Sequence, residues 1–193
     1  MKVTGKPGSW LYPAPPVLVS SQSAGTANII TLAWAGVACS KPAMISLGIR
    51  PERHSHAMIK ESGEFVVNIP KANQMELVDI CGTISGREYN KFDECGWTAL
   101  PGHHVAAPLI AECPVNLECR VSQVIALGSH DLFLGEVVLV HYDEEFMVDG
   151  RFDVDSADPM AYAFGRYYRL GEVIGRHGES MLRKRRETSE ASI

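Results

Sequence analysis

Apolar positions recur along the chain at two different periods, and the change of period separates strands from helices. In the first half they come in short runs. Val17-Leu18-Val19-Ser20-Ser21 reads as a strand that ends at the turn-prone Gln22-Ser23-Ala24-Gly25. Asn28 to Ala33 resumes a strand, Trp34 to Cys39 continues it or starts another, and Ser40-Lys41-Pro42 is a turn. Ala43 to Ile49 is almost continuously apolar, which predicts a strand buried on both faces. The period then lengthens. Ala57, Met58 and Ile59 lie between Ser55, placed as an N-cap, and Gly63, placed as a stop, and together they predict a short helix. Glu64 to Ile69 is a strand closed by Pro70, and Gln74 to Cys81 is helical, with Met75, Leu77, Val78 and Cys81 on its apolar side. In the second half, Leu117 to Leu127 and Leu132 to Val140 form a hairpin across Gly128-Ser129-His130-Asp131. Tyr162 to Leu170 is aromatic and irregular. Five or six short alternating strands with few helices predict a mainly β, α+β fold: a closed antiparallel β-barrel with short helical inserts.

Composition narrows the class. At 193 residues, with 46% hydrophobic and 21% charged, the chain reads as one globular domain with an appendage. We expect a domain over 1–175 and a basic tail over 176–193. Disordered, collagen-like and disulfide-stapled classes are excluded, and no apolar run approaches the roughly 20 residues that span a bilayer. Met1-Lys2-Val3-Thr4-Gly5-Lys6-Pro7 is basic but leads into no apolar stretch, unlike a secretory signal. Five cysteines, an odd number without a C-x-x-C pair, suit reduced thiols in the cytoplasm. A net charge of −5 argues against a nucleic-acid surface spread over the whole protein. The run Arg183-Lys184-Arg185-Arg186 is the exception, read as a frayed, solvated terminus or, alternatively, as a phosphate-binding tail.

Two segments are candidates for chemistry. In a strand from Asn28 to Trp34, Asn28, Ile30, Leu32 and Trp34 point one way and Ile29, Thr31 and Ala33 the other, so each face mixes polar and apolar groups. The wall of a cofactor slot has that character; so does a strand with Asn28 in a turn and Thr31 bonded to backbone. The second segment, Arg50-Pro51-Glu52-Arg53-His54-Ser55-His56, follows a strand and opens a helix. Free N–H groups and the dipole favour an anion there, and two arginines, two histidines and a hydroxyl suit a phosphate monoester; a solvated charged turn is the plainer alternative. Ser85-Gly86-Arg87-Glu88-Tyr89-Asn90-Lys91-Phe92 adds two cations on a glycine-containing loop, useful only if the fold carries Lys91 to the same anion.

Standard catalytic signatures are missing: no G-x-G-x-x-G, no P-loop, no H-E-x-x-H and no G-x-S-x-G. His103 and His104, being adjacent, cannot easily aim at one ion with Cys113 and Cys119, so we read Cys119 as core, the histidines as loop, and no metal site.

In their order, these segments resemble the flavin reductase-like, flavoredoxin-type family with the FMN-binding split-barrel fold. The matching pieces are Pro16-Val17-Leu18-Val19-Ser20, Gly25-Thr26-Ala27-Asn28 leading to Ala33-Trp34, Lys41-Pro42-Ala43-Met44, and Ile49 to Ser55. Gly63 to Pro70, Cys81-Gly82, Ser85-Gly86-Arg87 with Lys91-Phe92, and Glu112-Cys113 ahead of the Gly128 to Asp131 hairpin continue the match, which spans about 10–141. The resemblance implies a homodimer of split barrels, each holding one FMN non-covalently near the subunit interface. Asn28, Ile29, Ile30, Thr31, Leu32, Ala33 and Trp34 would run along the isoalloxazine ring. Arg53, Ser55 and Lys91 would hold the phosphate with His54 and His56 as neighbours, and Ser46, Gly48 and Arg50 complete the implied cofactor set. His54 stands where the family commonly has an aromatic residue. Such proteins pass electrons between FMN and either a nicotinamide cofactor, NADH or NADPH, or a partner redox protein; the flavin carries the redox chemistry and the protein positions it. A non-catalytic FMN electron carrier and a flavin-free binding module are the alternatives. Neither a membrane nor a nucleic acid is expected as a partner.

Overall fold

The computed structural model describes residues 1–182, so the Arg183 to Arg186 run lies outside the described residues. The first five strands are β1 (Val17–Ser23), β2 (Thr26–Leu32), β3 (Ala35–Ser40), β4 (Ala43–Ile49) and β5 (Glu64–Ile69). A small ladder of β6 (Ala99–Leu100) and β7 (Leu109–Ile110) follows, then the long strands β8 (Val115–Ala126) and β9 (Asp131–Tyr142). Seven of these form one antiparallel sheet in the order β2-β1-β5-β8-β9-β4-β3.

That order forces a barrel. The two outermost strands, β2 and β3, are consecutive in the chain and joined only by Ala33 and Trp34. A flat sheet of this width would separate them by about 29 Å at ~4.8 Å per strand, whereas so short a link reaches about 11 Å. The sheet therefore curls until its edges meet, and Gly48 N–H on β4 donates to the Trp34 carbonyl at 2.8 Å where they do. A bulge at Val138 of β9, opposite Glu118/Cys119, and one at Ser122 of β8 supply the extra coiling.

Alternation along each strand fills the interior. Val17, Val19, Ile30, Leu32, Ile45, Leu47, Ile49, Phe65, Val67, Cys119 and Phe133 converge in one cluster. Gly135 makes room for it, because a β-carbon there would collide with the Phe65 ring. Helix α1 (His54–Ser62) adds Ile59 to this cluster and ends at Gly63 in the left-handed region, φ 71°. A second cluster coats the outside of the barrel: Leu18 and Ile29 pack against Val78 and Cys81 of α2 (Met75–Thr83) and Phe92 and Cys95 of α3 (Lys91–Cys95).

The remaining elements are β10 (Met147–Val148), β11 (Arg151–Phe152), α4 (Val154–Ala157), and a hairpin of β12 (Met160–Ala163) and β13 (Arg166–Arg169). The segment expected to be irregular, Tyr162 to Leu170, is largely this hairpin; it turns through Phe164 and Gly165, both at positive φ, and pairs Tyr162 with Tyr167. Two other expectations also need correcting. β4 is buried on one face only, because Met44, Ser46 and Gly48 look out of the barrel and only Ile45, Leu47 and Ile49 look in. Ser55 does not cap α1: Arg53 occupies the cap position without a side-chain cap bond, and Ser55 is buried within the first turn. No helix among the described residues is long and apolar enough to cross a membrane.

Glu118 on β8 is a fully buried carboxylate. It accepts from the backbone N–H groups of His103, His104 and Val105 and shares a 2.5 Å hydrogen bond with His141 Nε2, pinning residues 103–105 to the sheet. Burial alone would raise its pKa; the hydrogen bonds from His103, His141, His104 and Val105 outweigh that and hold it at about 2. A carboxyl depressed on folding contributes stability that is fully present above its unfolded value of about 4.5 and is lost as pH falls towards about 2. We predict that Glu118→Gln lowers the unfolding free energy by about 3 kcal/mol at pH 7, and that the gap to the unsubstituted protein narrows at pH 3. Urea denaturation at the two pH values measures both.

Candidate functional site

The cleft lies where the barrel's edges part, between the ends of β2 and β4, the start of α1 and the end of α2. At its inner end is a cavity of about 130 Å³ lined by Asn28, Arg53, His54, Ser55, Arg87 and Lys91, with Glu52 as its one acidic residue among the described residues and the segment 82–86 as one wall. It adjoins a larger cavity of about 390 Å³ that shares Ile30, Arg53, Gly82 and Thr83 with it. Thr31, Leu32, Ala33, Trp34, Gly48 and Arg50 also line the larger cavity.

The small cavity is cationic and held open by a polar scaffold. Asn28 is buried, and its Nδ2 donates to Ser55 Oγ at 2.8 Å, tying the first turn of α1 to β2. Gly86 lies against the same amide, so close that a β-carbon would overlap it. Arg87 donates from Nη1 to the Glu52 carbonyl at 3.0 Å, fastening the 85–87 loop across the α1 start. Lys91 is only 4% exposed, and its Nζ donates to the Cys81 carbonyl at 2.6 Å. No carboxylate pairs with it among the described residues. Burial lowers the Lys91 pKa; Cys81 opposes this, the Arg53 guanidinium lowers it further by less, and Cys95 raises it least, so that burial decides the direction. His54 is lowered by burial and then by the charges of Arg87 and Lys91. The Arg53 guanidinium itself makes no hydrogen bond or ion pair among the described residues. An ammonium buried without a counter-ion is costly unless an anion arrives, and the free N–H groups at the start of α1 add to the pull. This donor set fits a phosphate-sized dianion.

The larger cavity has a different character. Ile30, Leu32, Ala33 and the Trp34 indole make one wall, and Tyr12, Tyr162 and Tyr167 from the two ends of the chain make another. Tyr167 donates from its hydroxyl to Asp79 Oδ1 at 3.2 Å; burial first, then the Asp79 charge, push its pKa up to about 12. A third cavity of about 620 Å³ continues from this one past Trp34, Gly48 and His130 to Ser46 and the N-terminal segment at Leu11–Pro15. Trp34 and the His130 ring lie face to tilted face at 4.3 Å, forming the partition.

Most of the residues singled out from the sequence therefore border one connected cleft, and two do not. Ile29 points away from it into the cluster under α2 and α3, as the opposite parity of its strand requires. His56 turns towards β9, where its Nε2 pairs with Asp131 Oδ2 at 2.8 Å and its ring edge meets Phe133. The mixed polarity of β2 also has a local explanation: Thr31 Oγ1 donates to the Val78 carbonyl at 2.5 Å, so the hydroxyl moors α2. Sequence reasoning missed Tyr12, Asp79, Thr83, His130, Tyr162 and Tyr167. The clustering of aromatics near both ends was the available signal, but nothing in it showed that the ends meet.

Three comparisons bear on this geometry. A family model described as the flavin reductase like domain matches residues 9–171. An uncharacterised protein of Archaeoglobus fulgidus is 34% identical over 159 residues, 82% of this chain and 89% of its own. Among solved structures, flavoredoxin of Desulfovibrio vulgaris (Miyazaki F) superposes with a TM-score of 0.88 at 32% identity, covering 94% of this chain and all of its own. An FMN-binding protein of Thermus thermophilus with bound 1-cyclohex-2-enone does so at 0.77 and 25% identity, covering 91% and 98%.

The scaffold makes its own prediction. Because a side chain at position 86 would displace the Asn28 amide from Ser55, Gly86→Ala should cost about 1–3 kcal/mol of stability, with Asn28→Ala costing less. Parallel urea melts of the two variants and the unsubstituted chain give the ranking.

Proposed function

The chain belongs to the flavin reductase-like family, and from that premise we propose that it is an FMN-dependent oxidoreductase. In this reading it passes electrons between FMN and NADH, NADPH or a partner redox protein. The observation that carries the assignment is the buried Lys91 ammonium, unmatched by any carboxylate among the described residues and set beside Arg53 and Ser55 at the closed end of an elongated cleft.

In this reading, Arg53, Lys91, Ser55 and the N–H groups at the start of α1 grip the phosphate, with Arg87 behind them. The adjoining cavity mixes the segment from Ile30 to Trp34 and three tyrosines with Arg50, Asp79 and His130, a lining with both apolar surface and polar partners for a planar heterocycle. Bound FMN supplies the hydride and electron chemistry, and the protein's part is to orient it and set its surroundings. Backbone groups of β2 beyond its last ladder bond give the polar edge of the ring its partners. Water is kept from the slot by Tyr12, Tyr162 and Tyr167, the last locked in place by Asp79.

The third cavity favours a reductase over a carrier. An electron carrier needs only an exposed ring edge, whereas this cleft has room for a second molecule beside Trp34 and His130. The Thermus relative that holds 1-cyclohex-2-enone is in keeping with a small organic acceptor or a nicotinamide at such a place. A second copy of the chain is the partner we propose in solution; Val37, 80% exposed on the outermost strand β3, and Leu127, 63% exposed at the hairpin tip, are apolar surface for it to cover.

Lys91→Ala and Arg53→Ala should each weaken FMN binding by about 1.5–3 kcal/mol, roughly 10- to 100-fold, while leaving the weaker affinity for riboflavin unchanged. Fluorescence titration with the two flavins tests this, and equal losses for both would refute the phosphate assignment. Purified holoprotein mixed with NADH or NADPH in air should consume one of them above the rate of free FMN alone; no consumption of either favours the carrier.

A further inference from the structure

Beneath the phosphate cavity lie two thiols that the proposed function does not use. Cys81 is in the last turns of α2 and Cys95 closes α3; their sulfurs are 3.6 Å apart, and both side chains are buried, at 0% and 8% exposure. All five cysteines of the chain are free, and no other pair is in such contact among the described residues. The two frame the segment that matters most for anion binding. Between them run Gly82, Thr83, Ser85, Gly86, Arg87 and Lys91, and the Cys81 carbonyl is the acceptor that holds Lys91 Nζ.

We propose that Cys81 and Cys95 are a redox-sensitive pair, oxidised by hydrogen peroxide to a disulfide that tightens the phosphate cavity. The stoichiometry closes in two steps. Cys95, the more accessible, attacks a peroxide oxygen, becomes a sulfenic acid and releases water. The Cys81 sulfur then attacks the Cys95 sulfur, the S–S bond forms, and the hydroxyl leaves with the Cys81 proton as a second water. Two thiols are oxidised by two electrons and one peroxide is reduced to two waters.

Several features favour this step. The partners already touch, so the second attack outruns further oxidation of the first sulfur. Against it, burial and then the neighbouring Cys95 push the Cys81 thiol up to about 12, so the pair reacts slowly and is spared under mild conditions. The Trp97 indole N–H is buried without a hydrogen-bond partner, and its proximity offsets a small part of that rise, leaving a donor for a sulfur anion as the bond exchange proceeds. Access comes through α3, a five-residue helix whose opening exposes Cys95.

The consequence rests on the FMN reading. A bond between the end of α2 and α3 closes a short loop around residues 82–94. It fixes the carrier of Lys91 against the residues that line the cavity floor, so less ordering remains to be done when the phosphate enters.

The test uses the full chain, reduced and then treated with hydrogen peroxide, beside Cys81→Ser and Cys95→Ser. Peptide mapping should give one linked species joining the peptides of Cys81 and Cys95, two hydrogens lighter than its parts and absent from both variants. The oxidised protein should bind FMN at least threefold more tightly and release it more slowly, reversibly on adding dithiothreitol, with both variants unresponsive. No linked species, or linkage through Cys39, Cys113 or Cys119 instead, overturns the pair. Linkage with unchanged FMN affinity overturns the coupling. If the reduced protein binds no FMN at all, the proposed function fails while the mapping still decides the pair.

Discussion

The two outer strands of the sheet are neighbours in sequence, and a two-residue tie between them leaves the seven strands no option but to close. The rest of the molecule follows from that constraint. Closure gathers the inward face of every strand into one cluster, and it is sealed at the tie by the Gly48 to Trp34 hydrogen bond. Away from the tie the edges diverge, because β2 goes on to pair with β1 while β3 pairs with β4. Helices α1 and α2 pack on β1 and β2 beside that seam, and the start of α1 and the end of α2 border the cleft. A barrel closed all round would have had no such opening.

The cleft divides its two tasks by polarity. At one end, charge is concentrated where solvent is excluded: Lys91 is almost wholly buried, Arg53 has no ion-pair partner among the described residues, and burial, then the charges of Arg87 and Lys91, lower the His54 pKa. At the other, aromatic and aliphatic residues share the lining with charges of both signs, Arg50 and Asp79. Glu118 shows the opposite arrangement, a buried anion fully satisfied by four donors, and it sits away from the cleft on the outside of the barrel. The contrast separates a structural ion from one that awaits a ligand: the first has its partners within the chain, and the second lacks them.

Much of this was legible in the order of residues. The β-strands came through as runs with the correct parity; β4 matched its expected ends, and the long hairpin was displaced by only one or two residues at each end. The convergence of Arg53, Ser55 and Lys91 was visible only through the resemblance, because 36 residues separate the last two and no periodicity relates them. Where the reading fell short, the cause was tertiary. Ser55 has the chemistry of a helix cap, yet Asn28 claims its hydroxyl and draws it inside the first turn. His56, the next residue, is captured by Asp131 across the barrel. The terminal hairpin was unreadable because its aromatics are ordered by contacts with the other end of the chain, which pattern reasoning does not see.

That last contact gives the two ends of the protein a shared fate. Trp10 packs on Phe164 at 5.3 Å, Tyr12 lies against Phe164 at 4.5 Å, and the Ala14 and Tyr162 backbones bond to each other in both directions. Residues near the start and residues near the finish are thus masonry of the same wall, bordering the cleft itself. A purification tag or fusion partner joined close to Trp10 is therefore no neutral handle here, since it would be grafted beside the entrance through which any ligand must pass.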